Sequence, residues 1–198
     1  MTELPEFVPF PSIPRLFRDV TITEKVDGTN AVIQITAEGV VHAGSRNRWV
    51  TPEDDNFGFA AWVRDHVEEL RAGLGIGTFH GEWYGAGIQR RYGLKEKRFA
   101  LFNVHTWQGR HGLHASTPPR EKQAVPPACC DVVPVLYEGS YSEEAVRRCA
   151  EGLRATGSVI APGFMQPEGV VVYHHASRQL YKYTVDGDGH KTAKPTKS

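Results

Sequence analysis

Apolar and polar residues alternate around Ile22 and again through Val32, Ile33 and Ile35, on either side of the pair Asp27-Gly28. Alternation of this kind predicts two strands joined by a tight connection, locally the pattern of a β-hairpin. A further strand is predicted over 39–43, followed by a polar, turn-prone stretch at 44–49 that carries Arg46 and Arg48. Phe59, Trp62, Val63, Val67 and Leu70 then recur at helical spacing. They predict one helix that opens near 52–56, stops at the glycines of 73–77 and turns its apolar stripe to the core. Strands are predicted at 78–85, 99–104, 132–137 and 167–173, with a last one from Leu180 to Tyr183. Residues 108–128 hold four prolines and many polar residues and read as a long surface loop. Ser140 or Ser142 caps a helix reaching about Ala155, with Glu143 and Glu144 in its first turn and Gly157 at its end. Residues 4–19 are expected to pack Phe7, Phe10, Ile13, Leu16 and Phe17 irregularly, and 187–198 to form a flexible basic tail. Many short strands, two helices and no βα alternation predict an α+β fold. Antiparallel sheets with flanking helices would fill a single domain over 1–186.

Composition narrows the partners. A chain of 198 residues, 40% hydrophobic, can bury one core without disulfides. No apolar run approaches the roughly 20 residues that cross a bilayer. The N-terminus lacks a basic start and an apolar centre, so it is not read as a signal peptide. Cys129, Cys130 and Cys149 are odd in number and lack metal-ligand spacing, which suits reduced thiols in a cytoplasmic protein. The net charge of zero argues against a strong non-specific nucleic-acid binder. It leaves room for a local patch: Arg90, Arg91, Lys95, Lys97 and Arg98 cluster with only Glu96 among them. Such a run is either a solvated face or a phosphate track.

Candidate chemistry gathers around a few polar residues in apolar surroundings. Lys25 sits where strand meets turn, between Glu24 and Asp27. Burial and pairing there would tune an amine for nucleophilic attack, although solvated hairpin charges fit the same residues. Glu82 and Glu168 each lie in an apolar strand beside a glycine, and Lys182 poses the same problem with opposite sign. A carboxylate so placed needs a partner or a metal, so a structural salt bridge among the three is a second reading. His80, two residues before Glu82, is expected to pack.

In chain order these residues read Lys-x-Asp-Gly, Thr-Asn, Ser-Arg-Asn, Gly-Glu-x-Tyr-Gly, Phe-Asn-Val, Glu-Gly-Val-Val and a strand lysine. The series resembles the covalent nucleotidyltransferase superfamily of ATP-dependent ligases and mRNA capping enzymes, and most of all its RNA ligase 2-like family, across about 20–184. The resemblance implies that Lys25 takes AMP from ATP as a phosphoramidate. It implies that Glu24, Asp27 and the backbone around them help seat the nucleotide, and that Asn30 and Arg46 contact phosphate and the nucleic-acid end. Glu82 would hold ribose hydroxyls, Phe102 would stack on adenine, and Lys182 would neutralise the α-phosphate. Glu168 would place Mg²⁺ or Mn²⁺, and so would serve a metal more than pair with Lys25. Arg90 and Arg91 would grip RNA phosphates, so their loss should weaken joining and spare adenylation.

Two departures qualify the resemblance. The last motif usually carries two lysines at alternate positions, whereas Leu180 and Thr184 flank Lys182 here. Sixteen residues follow Lys182, too few for an appended oligonucleotide-binding barrel. The expected activity is joining of 5′-phosphate and 3′-hydroxyl RNA ends, with a partner protein supplying further grip. A DNA-end or nick ligase, and an idle module that holds nucleotide or nucleic-acid ends, are the alternatives.

Overall fold

The computed structural model describes residues 6, 8–115, 121 and 123–185. Among the described residues thirteen elements follow one another, beginning with β1 (Asp19–Lys25), β2 (Thr29–Ile35), β3 (Val41–Ser45) and β4 (Trp49–Val50). Then come α1 (Phe59–Asp65), α2 (Val67–Leu74), β5 (Gly77–Gly85), β6 (Lys97–Leu101), β7 (Cys130–Val132) and β8 (Val135–Ser140). The last three are α3 (Glu143–Thr156), β9 (Gly169–His174) and β10 (Gln179–Thr184). The fold is α+β, with two sheets ordered β10-β9-β1-β8 and β4-β3-β2-β5-β6-β7. Every pairing between two of these strands is antiparallel except β6 with β7.

The strands on either side of Asp27-Gly28 do not pair with each other. β1 lies between β8 and β9, and β2 between β3 and β5. The predicted hairpin is therefore corrected: the tight link is present, but it carries the chain from one sheet to the other. Alternation fixes which face a residue takes and says nothing of which strand lies beside it. Gly28 lets the link approach β5 closely, since a Cβ there would meet Trp83 O at 2.3 Å and Tyr84 Cβ at 2.9 Å.

The strand predicted at 132–137 divides in the same way. β7 ends at Val132 in the second sheet, and β8 begins at Val135 in the first. Pro134 between them has no N–H for a ladder. The crossings are neighbours, because Glu24 N donates to Pro134 O at 2.9 Å.

The single predicted helix is two. His66 leaves helical geometry at φ −114°, ψ 15°, and its N–H is shared between Trp62 O and Val63 O. Phe59, Leu70, Trp83, Phe99 and Ile33 pack in the core beneath, with Trp62 half-buried beside them. α3 meets expectation at both ends: Ser142 Oγ accepts from Ala145 N at 3.1 Å, and Gly157 takes φ 85°. It covers the first sheet with Val146, Ala150 and Leu153, set against Val20, Ile22, Val170 and Val172.

Two loop expectations change. In the N-terminal segment Phe10, Ile13, Leu16 and Phe17 are exposed rather than packed, while Phe7 lies outside the described residues. Pro9, Pro11 and Pro14 deny that stretch the donors that would tie it to a sheet. The 108–128 loop is partly internal, with His114 buried and Gln123 Nε2 donating to Val104 O at 2.7 Å. The predicted tail at 187–198 also lies outside the described residues.

Candidate active site

Lys25 closes β1, and its cross-strand partner on β9 is Gly169. With no side chain opposite it, the lysine reaches the neighbouring carboxylate: Nζ donates to Glu168 Oε2 at 2.6 Å. Glu168 thus forms with Lys25 the salt bridge that was the second reading of these residues. The lysine side chain is 26% exposed and that of Glu168 17%, so the pair is screened from water without being sealed. Cross-strand partners share a face. The side away from α3 therefore carries Lys25, the row Thr23–Val171–Lys182, and the row Thr21–Tyr173–Leu180. Lys182, exposed on β10, thus shares the Lys25 face from two strands away.

The second sheet meets the same link. Glu82 lies opposite Asn30, accepting from Gly28 N at 3.0 Å and from Asn30 Nδ2 at 3.2 Å. Burial is the main reason its carboxyl is pushed up to about 7. The Gly28 N–H and the Lys25 charge pull it down, while Glu168 and Asp27 add to the rise. Phe102 follows β6 with its ring partly exposed and its N–H on His80 O at 3.0 Å. His80 itself is exposed, against the expectation that it packs. Arg46 is exposed on the β3–β4 turn, which Ser45 N closes on Arg48 O at 2.8 Å.

Glu24 faces the other way. Its Oε1 accepts from Ser158 Oγ at 2.6 Å, and its Oε2 from Val159 N at 2.8 Å and Ile160 N at 3.0 Å. Burial pushes this carboxyl up and those hydrogen bonds oppose the rise. The expectation that Glu24 seats a nucleotide is corrected for its side chain, which alternation along β1 turns inward; only the backbone there remains for that role.

The basic cluster disperses. Arg90 Nε donates to Asp27 Oδ2 at 3.1 Å and Nη1 to Gln166 O at 3.0 Å. It therefore braces the Lys25 link against the segment before Glu168. Lys97 Nζ donates to Phe57 O, and Arg98 pairs with Glu96, leaving Arg91 and Lys95 exposed on the turn. A hollow of about 320 Å³ lies beside Arg90, lined also by Arg154, Met165 and Gln166.

The donor chemistry can be tested against a metal. Among the described residues no three His, Cys, Asp or Glu side chains gather as a metal cage. Glu168 Oε1 makes no hydrogen bond or ion pair among the described residues. One carboxylate with a spare oxygen fits a hard divalent cation that takes its other ligands from phosphate and water.

A family model of RNA ligases matches residues 18–184. The chain belongs to the RNA ligase family. Solved structures of the Naegleria gruberi RNA ligase share its fold. A variant with AMP and Mn gives a TM-score of 0.53 at 16% identity, and one with ATP and Mn gives 0.52 at 16%. An apo variant gives 0.52 at 18%. Each match covers 84% of this chain and 49% of the other, so the chain spans about half the length of those ligases. No curated protein matches it in sequence.

The RNA ligase motifs did not point to two residues that hold this site. Tyr92 OH accepts from Asp27 N at 2.7 Å, and its ring lies 4.8 Å from that of Phe164. It is reached through a strained turn, with φ positive at Gln89, Arg91 and Tyr92. Ser158 holds Glu24 from a loop 134 residues away in sequence. Neither carries a local signal; only the fold brings them in.

Proposed function

We propose that this RNA ligase family chain is an ATP-dependent adenylyltransferase domain that joins RNA 5′-phosphate and 3′-hydroxyl ends through a lysyl-AMP intermediate on Lys25. The observation that carries this reading is the convergence on one short link. Lys25 meets Glu168 from the first sheet, while Glu82 grips Gly28 and Asn30 from the second.

In the first step Lys25 Nζ attacks the α-phosphorus of ATP, an N–P bond forms, and the bond to the β-phosphate oxygen breaks, releasing pyrophosphate. Attack needs a neutral amine, so the Lys25–Glu168 pair opens beforehand and the lysine gives up a proton. A divalent cation bound through Glu168 would supply positive charge to the phosphoryl oxygens. Lys182, on the same face, adds charge at the α-phosphate. Glu82 accepts from ribose hydroxyls, Phe102 offers an aromatic face to adenine, and Asn30 and Arg46 hold phosphate and the RNA end. An RNA 5′-phosphate oxygen then attacks the AMP phosphorus and the N–P bond breaks. Finally the 3′-hydroxyl attacks the activated phosphate and AMP leaves.

Incubation with α-labelled ATP and Mg²⁺ or Mn²⁺ should label the protein covalently, and Lys25→Ala should abolish the label. A wild type that stays unlabelled over a wide range of metal and pH overturns the reading. An idle nucleotide-holding module draws support from the ion pair that engages Lys25. Tight ATP binding without pyrophosphate release would favour it. Sealing of RNA against DNA 3′-hydroxyl ends on one splint separates the RNA ligase from a DNA ligase.

A further inference from the structure

Farther along the Lys25 face the sheet carries aromatic rings. Tyr173 and His175 have ring centroids 5.1 Å apart, His105 and His175 5.2 Å, and His105 and Tyr173 6.0 Å. The planes are steeply tilted to one another, at 59–71°, so the rings meet edge to face. His105 and His175 are exposed and Tyr173 is half-buried. Tyr173 lies opposite Thr21, four residues along β1 from Lys25. At about 3.3 Å per residue the group sits roughly 13 Å from the lysine.

The rings are held in place. Thr21 Oγ1 and His175 Nε2 are 3.0 Å apart. Asn103 Oδ1 accepts from the N–H groups of His105 and Thr106 at 3.2 and 3.1 Å. One short, side-chain-braced loop thus carries Phe102 at its start and sets His105 in the aromatic group.

The strand on the other side of Thr21 carries an acidic residue that is already paired. Glu138 lies opposite Thr21 on β8, with its carboxylate 3.1 Å from His114 Nε2. Contact with ring surface is open to a flat, uncharged base whatever the charge nearby. A chain of zero net charge also gains little from long-range attraction to RNA.

We propose that His105, Tyr173 and His175 form a stacking platform for an unpaired base of the RNA near its reacting end. This rests on the RNA ligase reading above, and it narrows the substrate to ends that present single-stranded nucleotides. Stacking is open to any base and requires that the base be out of a duplex.

The test uses a short fluorescent single-stranded RNA with a 5′-phosphate, the same RNA annealed blunt to its complement, and a nicked duplex. Wild type should bind and seal the single-stranded ends in preference to the nicked duplex. Loss of one stacking ring should weaken single-strand binding between about 5- and 150-fold. His105→Ala, Tyr173→Ala and His175→Ala should each do so, with labelling by ATP unchanged, and Tyr173→Phe should retain binding. Stacking releases no counterions, so the salt slope of binding should not change in these variants. If Tyr173→Ala does not fold, the two exposed histidines decide. Wild-type binding and sealing in variants that still label with ATP overturns the platform, as does preferential sealing of the nicked duplex. A wild type that never labels fails the underlying ligase reading instead. A salt slope that drops in the histidine variants reassigns those residues to phosphate contact.

Discussion

Among the described residues the chain passes between its two sheets twice, at 26–28 and at 133–134, and the two crossings are built from opposite materials. The second is apolar: Val133 and Val135 are 4% and 2% exposed, and its neighbours are core residues. The first is charged, with Lys25 and Asp27 about a quarter exposed and held by Glu168 and Arg90. Glu82 and Tyr92 take its backbone N–H groups. One hydrogen bond, Glu24 N to Pro134 O, ties the crossings together. Since packing and backbone hydrogen bonds suffice for the second crossing, topology does not require the charges at the first. Their presence is the physical argument for chemistry there.

Exchanging the two failures is the hardest test of that contrast. Lys25→Ala should eliminate labelling by ATP yet change stability by no more than about 1 kcal/mol, as for a partly exposed ion pair. Val135→Ala should cost about 2 kcal/mol through lost burial and a residual cavity, while the folded fraction still labels. Thermal melts and labelling on both variants would read this. A Lys25→Ala protein as unstable as the valine variant would dissolve the distinction.

Gly28→Ala should damage both properties together, because the added Cβ points at the backbone of Trp83 rather than at a yielding side chain. A loss of about 3 kcal/mol or more is expected, read as a fall in the urea midpoint. Gly152 in α3 is the control, since nothing lies within 4 Å of a Cβ there. Gly152→Ala should gain about 0.5–1 kcal/mol from helix propensity.

Glu82 brings pH into the contrast. Its carboxyl stands at about 7 in the folded protein, against an ordinary value of 4.5. Between those values the unfolded chain releases the proton and the folded chain keeps it, so stability falls as pH rises through that window. The loss is absent below the lower value and complete above the upper, reaching about 3 kcal/mol at most. Glu82→Gln should therefore melt near the wild-type temperature at pH 4.5 and above it at pH 8. A variant no more stable than wild type at pH 8 would mean that Glu82 is ionised in the fold without penalty.

The same contrast separates what the sequence could reveal from what it could not. Lys-x-Asp-Gly, the strands around Glu82 and Glu168, and the Ser142-capped helix are legible because each rests on local periodicity or capping chemistry. Sheet membership is not local. Two strands joined by Asp27-Gly28 look like a hairpin whether they pair or part, and the difference lies in β5 and β9, far along the chain. The second crossing hid in an apolar run, where Pro134 was the one available sign of a break. Glu24 and Lys25 look equally catalytic by adjacency, and only the strand's alternation sends them to opposite sides. Tyr92 and Ser158 serve the site through the fold alone.

The smallest expected effect concerns Arg90 and Arg91, neighbours that look interchangeable in sequence. Arg90 joins Asp27 to Gln166 and so holds the Lys25 link, whereas Arg91 is exposed on the strained turn. A partly exposed ion pair contributes about 1 kcal/mol, so Arg90→Ala should slow labelling by roughly 5-fold. Arg91→Ala should leave labelling untouched, weaken RNA binding and lower its salt slope by about one phosphate contact. Such a result would divide the two arginines, expected to share one role in gripping RNA, between the first crossing and the substrate. Labelling rates and salt titrations on the separate variants would settle the division. If Arg90→Ala labels at the wild-type rate, Glu82 and Tyr92 hold the link by themselves. Arg90 would then join Arg91 as a contact to RNA.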